Sequence, residues 1–123
     1  MKIDIVTHVV PPKYKAILGK IAPHFESHVG RVPTLYDLER RFRMMDQYGE
    51  QKQVVTLAMT AALMLDDPKT GVGLAKQAND EMAELVTRYP DRFAAGVASI
   101  SMTDMDAAVQ ELDRAVGELK LKG

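Results

Sequence analysis

Three times along this chain a short apolar run rich in β-branched or small residues is followed by a longer stretch with helical spacing. The runs are Ile3–Val9, Gln53–Met59 and Phe93–Ser99. Strands joined by helices of this length lie parallel, connected by right-handed crossovers. This alternation leaves few architectures open and points to an α/β fold with a parallel sheet. It also directs attention to the carboxyl ends of the strands, where such folds keep their chemistry.

The first run, Met1-Lys2-Ile3-Asp4-Ile5-Val6-Thr7-His8-Val9-Val10-Pro11-Pro12, reaches a lone His before two prolines stop it. That is how a buried strand delivers a polar side chain to its end. A short helix is expected over Lys13–Ala22, with Tyr14, Ile17, Leu18 and Ile21 on one face and Pro23 ending it. Residues 23–33 show no sustained period and read as a loop at the carboxyl end of the first strand. Thr34-Leu35-Tyr36-Asp37 has the form of a capping box. The helix behind it places Leu35, Leu38, Phe42, Met45 and Tyr48 on one face, Arg40, Arg41 and Arg43 mostly outside it, and Gly49 at its stop.

After the second strand, residues 60–68 read as a second loop. A helix over Lys69–Arg88 repeats Leu74, Ala78, Met82 and Leu85, and Tyr89-Pro90 ends it. The third strand is followed by a second capping box at Thr103-Asp104-Met105-Asp106. Its helix is expected to bury Ala108, Val109, Leu112, Val116 and Leu119.

With 123 residues the chain forms one domain at most. A net charge of −1 gives no basic field for nucleic acid. No apolar run approaches the roughly 20 residues that span a bilayer. Asp4 and His8 interrupt what would be a signal-peptide core, so the cytosol is the expected location. Without cysteine there is neither a disulfide nor a thiolate ligand, and any metal would be held by His, Asp or Glu. Both outer strands of a three-stranded sheet would be apolar edges in need of neighbours. The chain is therefore expected to be the opening part of a larger parallel α/β domain, or to be completed by a second copy or another polypeptide.

Several blocks in order resemble the N-terminal part of the amidohydrolase-related family, in the branch that contains 2-amino-3-carboxymuconate 6-semialdehyde decarboxylase. They are Asp4 through His8, Arg43 through Gly49 followed by Gln53-Val54, Ala78 through Glu81, Tyr89 through Phe93, and Glu111-Leu112 through Lys122-Gly123. The resemblance runs over essentially the whole chain. It implies a (β/α)8 TIM-type barrel of which residues 1–123 supply the first three βα units. It also implies a divalent metal, usually zinc, that serves decarboxylation or hydrolysis of a small carboxylated substrate. The family's first strand usually ends in His-x-His, whose two imidazoles reach one metal. Val6 stands at the first of these positions, leaving His8 as the metal ligand to expect. The family's other ligands lie beyond residue 123.

Arg31, in the loop after the first strand, is a candidate for holding a substrate carboxylate with its planar fork. His24 and His28 stand four apart, but Pro23 and Gly30 flank them, and they read as a solvated loop. Asp66-Asp67-Pro68 reads as turn chemistry. Met44, Met45, Met59, Met64 and Met82 read as core filling. Thr60, Ser99 and Ser101 lie near strand ends without the His and acid that would make one of them a nucleophile. A different class of function also fits: a non-catalytic half-barrel that pairs with itself or with a separately encoded remainder.

Overall fold

The computed structural model describes residues 1–58, 60 and 67–123. Its strands are β1 (Lys2–Val9), β2 (Gln51–Leu57) and β3 (Phe93–Gly96). The helices are α1 (Pro12–Ile21), α2 (Pro23–Val29), α3 (Leu38–Asp46), α4 (Pro68–Arg88) and α5 (Met105–Gly117), with one 3-10 turn at Pro33–Leu35. The sheet order is β1-β2-β3 and both pairings are parallel. All three strands therefore run to the same end, as the alternation predicts. Met59, Met64 and Asp66, and most of the loop expected at 60–68, lie outside the described residues.

One face of the sheet packs on the helices. Val9, Val55, Leu57 and Phe93 meet Tyr14 and Leu18 of α1 and Leu74, Ala78 and Met82 of α4, all of them buried. The other face is open, and Ile3, Ile5 and Val6 of β1 are exposed. Between Asp4 and Thr7 the register of β1 against β2 shifts, so β1 carries one extra residue and turns its two halves differently.

Backbone pairing continues past β3. The Lys122 N–H donates to the Gly96 carbonyl at 2.9 Å, and the Ala98 N–H donates to the Gly123 carbonyl. Gly96 permits this approach: a Cβ there would stand 2.8 Å from Cδ2 of Leu121.

Four expectations are corrected. Residues 23–29 form α2 rather than a loop; Pro23 starts the helix, where a missing N–H costs nothing. The cap of α3 is Asp37, which accepts from the Arg40 N–H at 3.0 Å, while Thr34 sits in the 3-10 turn. The cap of α5 is likewise Asp104, accepting from the Ala107 N–H, and not Thr103. In both cases a carboxylate nearer the helix, three residues on at Asp37 and one residue on at Asp104, takes the place of the hydroxyl.

The last correction concerns the face of α5. Its buried residues are Ala108, Glu111 and Ala115, whereas Val109 is 56% exposed and Leu112 and Val116 are 40% and 45% exposed. Glu111 enters the interior because it has partners there. Arg114 holds its carboxylate from Nε at 2.8 Å and Nη2 at 2.9 Å, and Asn79 Nδ2 donates to it at 2.8 Å. Asn79 also clamps the chain after β3, donating to the Ser99 carbonyl and accepting from the Ser99 N–H, each at 2.8 Å.

Candidate functional site

His8 is the next-to-last residue of β1 and sits in register with Thr56 of β2, at the end of the sheet from which the loops leave. Its neighbours Thr7 and Val9 are buried on the helix side, so the pleat turns His8 to the open face, where it is exposed. The imidazole Nδ1 lies 2.7 Å from the Thr56 hydroxyl, and that hydroxyl lies 3.1 Å from the Thr7 carbonyl. The Thr7 hydroxyl donates to the Val54 carbonyl at 2.8 Å. Two threonine side chains thus cross-link the two strands where His8 is presented.

The backbone of His8 is fixed by a residue that periodicity placed on the solvent side. Arg41 is only 4% exposed. Its Nη1 donates to the His8 carbonyl at 2.7 Å and to the Thr34 carbonyl at 3.1 Å, and its Nε donates to Gln53 Oε1 at 2.7 Å. Burial pushes this guanidinium down to about 10, against a smaller opposing pull from Asp4. One side chain therefore ties the end of β1, the turn before α3 and the buried face of β2. The sequence signal that could have found it is weak: one arginine among several on α3, together with a polar Gln53 where a strand should turn inward.

The start of α1 is held in a similar way. No side chain of its own caps it, and Glu81 of α4 accepts from the Lys13 N–H at 2.8 Å and the Tyr14 N–H at 2.9 Å. A carboxylate at a helix N-terminus faces both free N–H groups and the positive end of the dipole. Tyr14 is itself fully buried, and burial raises its phenol to about 12.

The remaining candidates separate from His8. Arg31 is exposed on the turn after α2, its N–H bonded to the His28 carbonyl, and no hydrogen bond or ion pair joins it to His8 among the described residues. His24 and His28 do lie on a helix, but His28 Nδ1 is spent on the His24 carbonyl at 2.7 Å and the His24 ring rests against Phe25. Asp67, read from the sequence as turn chemistry, is the cap of α4; the Thr70 hydroxyl lowers its carboxyl first of all, with the Lys69 and Thr70 N–H groups adding to this. Ser99 is engaged through its backbone with Asn79, and Ser101 is buried with its hydroxyl 2.7 Å from that of Thr103. A groove lined by Val10, Pro11, Tyr36, Leu85 and Tyr89, with Glu81, Glu84 and Arg88 beside them, does not include His8.

Metal chemistry can be tested against these positions. His8 offers one nitrogen, Val6 offers nothing, and no group of three or more His, Asp or Glu able to hold an ion occurs among the described residues. These residues alone do not form a metal centre. What they do form is one imidazole, rigidly mounted at the carboxyl-end rim of a parallel α/β sheet.

A parallel sheet alternating with helices, with a His at its carboxyl rim, is an α/β arrangement of the kind from which parallel barrels are built. Residues 3–123 match the amidohydrolase family, and the chain belongs to it. Over 85 residues it is 38% identical to a gamma-resorcylate decarboxylase of Rhizobium radiobacter, a match covering 69% of this chain and 26% of the relative. It is 24% identical over 141 residues to a 2-amino-3-carboxymuconate-6-semialdehyde decarboxylase of Dictyostelium discoideum, covering 100% of this chain and 39% of the relative. Among solved structures it superposes on a dihydroxybenzoic acid decarboxylase from Polaromonas sp. JS666 with a TM-score of 0.73 and 30% identity, covering 98% of this chain and 36% of the other. That crystal structure holds manganese and the inhibitor 2-nitroresorcinol. The chain thus spans about a quarter to two-fifths of the length of the proteins it matches. The fold is the one the resemblance implied, three βα units of a TIM-type barrel. The metal in this neighbour is manganese, where the resemblance suggested zinc. No helix among the described residues is long and apolar enough to cross a membrane.

Proposed function

We propose that residues 1–123 supply the first three strand–helix units of a metal-dependent decarboxylase that releases CO2 from a small carboxylated aromatic acid. In this reading they are one sector of a single barrel domain, and His8 is the donor they contribute to a divalent cation. The observation that carries the reading is the placement of His8 on the open face at the carboxyl end of β1, in a chain whose relatives are named for decarboxylation. Those names favour loss of CO2 over hydrolysis, and the manganese of the Polaromonas structure makes manganese the first ion to try beside zinc. Arg31 is the group in this segment suited to a substrate carboxylate, being exposed and carrying a fixed fork of donors.

The test is CO2 release from hydroxylated benzoates by the whole protein that carries this chain, with manganese or zinc supplied. Activity should depend on the metal and be lost with a chelator. His8→Ala should cost more than about 100-fold, beyond the 10–100-fold typical of changes one shell further out. A protein that consumes none of these acids with either metal would overturn the proposal.

A second reading has its own observation. Ile3, Ile5 and Val6 on the edge strand β1, and Met105, Val109, Leu112 and Val116 on α5 at the other flank, are exposed. Apolar surface of this kind marks an interface, so a non-catalytic half-barrel that pairs with a second copy of itself, or with the rest of a barrel, also fits. Light scattering on the 123-residue chain separates the cases: a monomer at all concentrations argues against self-pairing.

A further inference from the structure

We propose that Thr56 is a positioning residue that fixes His8 as the tautomer protonated on Nδ1, leaving the lone pair on Nε2. A threonine hydroxyl has one proton to give and can accept as well, a carbonyl can only accept, and a neutral imidazole nitrogen does either according to its tautomer. The Thr56 hydroxyl lies 3.1 Å from the Thr7 carbonyl and 2.7 Å from His8 Nδ1. Both contacts are hydrogen bonds in one arrangement only: the hydroxyl donates to the carbonyl, and the imidazole N–H donates to the hydroxyl oxygen. With the reverse tautomer, two acceptors would compete for a single proton.

The surrounding geometry holds this arrangement in place. His8 and Thr56 are partners in the β1–β2 register, so their side chains leave the sheet on the same face. The β-branch of Thr56 restricts its rotamer, and Arg41 fixes the His8 carbonyl at 2.7 Å. An imidazole that must offer a lone pair generally gives its other N–H to an orienting acceptor. Since Val6 brings no second imidazole to this strand end, the protonation pattern of one ring decides what the strand offers. The use made of that lone pair rests on the decarboxylase reading; the tautomer does not.

The test is a long-range proton–nitrogen correlation spectrum of the 123-residue chain labelled with nitrogen-15 in histidine, recorded at about pH 8.5, well above the ordinary imidazole value near 6.5. His28 is the internal standard, because its Nδ1 faces a carbonyl and must carry the proton. His8 is expected to show the same Nδ1–H pattern as His28. Thr56→Val should move His8 alone toward the Nε2–H form, and Thr56→Ser should restore it, with the amide fingerprint confirming the fold. An Nε2–H pattern for His8 in the unaltered chain overturns the proposal whether or not the valine variant folds, and so does an unchanged pattern in a folded Thr56→Val chain. Failure of the parent protein to release CO2 with the Nδ1–H pattern intact would defeat the decarboxylase reading and leave the tautomer standing.

Discussion

Arg41 and His8 illustrate two kinds of legibility. His8 stands out in the sequence because it breaks an apolar run at the point where a strand must end, and local pattern is enough to find it. Arg41 does not, because what holds it inside is three acceptors from other elements: the carbonyls of His8 and Thr34 and the amide oxygen of Gln53. Removing a buried charged donor strands those acceptors, and each bond to a charged group is worth about 1.5–3 kcal/mol. Arg41→Met should therefore lower the stability of the chain by about 3 kcal/mol or more in urea unfolding, and Arg41→Lys should fail to rescue it, lacking the planar fork. A loss below about 1 kcal/mol would show that the three bonds are not made. Glu111 provides a second test. Burial pushes its carboxyl up, but the hydrogen bonds from Arg114 and Asn79 outweigh that and hold it below the usual value of 4.5. A depressed carboxyl contributes stability above its unfolded value and loses that contribution as pH falls through the folded one. Unfolding followed downward from about pH 5 should show this loss, and Glu111→Gln should flatten it. Equal pH slopes for the two proteins would contradict the network.

Among the elements, the three strands and the helices α1, α3, α4 and α5 were legible, and α2 was the one helix read as a loop. The helix α4 repeats its apolar positions over 21 residues and the structure buries Leu74, Ala78 and Met82 as that spacing demands. The seven residues of α2 are too few for a period to emerge, and its start rests on Pro23 rather than a capping side chain. On α5 Ala108 is buried as expected, but Val109, Leu112 and Val116, expected beside it, are exposed. Large apolar residues were expected inside, but the helix approaches through Ala108 and Ala115 around a Glu111 paired with Arg114, and its larger residues stay out. Such a choice depends on partners that one helix does not contain. The cap of α1 is equally non-local, since its acceptor is Glu81 on α4. Capping bonds are worth about 1 kcal/mol each, so Glu81→Ala should cost about 2 kcal/mol in urea unfolding; a change under about 0.5 kcal/mol would mean that water serves as well.

For the molecule as a whole, parallel order and shared strand ends followed from connection lengths alone, and the match to barrel decarboxylases agrees with them. What the sequence left open was which surfaces stay bare. Exposed Ile5 and Val6 at one side and Val109 and Val116 at the other place apolar area on both flanks of the three-unit sector. If that area pairs with a second copy, Val109→Lys with Leu112→Lys should convert an associating chain to a monomer by light scattering. Stability of the monomer should change by no more than about 0.5 kcal/mol per site, as for other exposed positions. A wild-type chain that is already monomeric at every concentration would contradict self-pairing and leave completion by further barrel units. In the decarboxylase reading the rim of the sheet is where chemistry would occur, and His8 is the donor proposed there. The most direct measurement is an anomalous difference map from crystals of the whole protein grown with manganese. The expected result is a peak within coordination distance of His8 Nε2, with Nδ1 still on the Thr56 hydroxyl. A metal peak away from the carboxyl end of β1, with the His8 ring uninvolved, would contradict the proposed role of this strand.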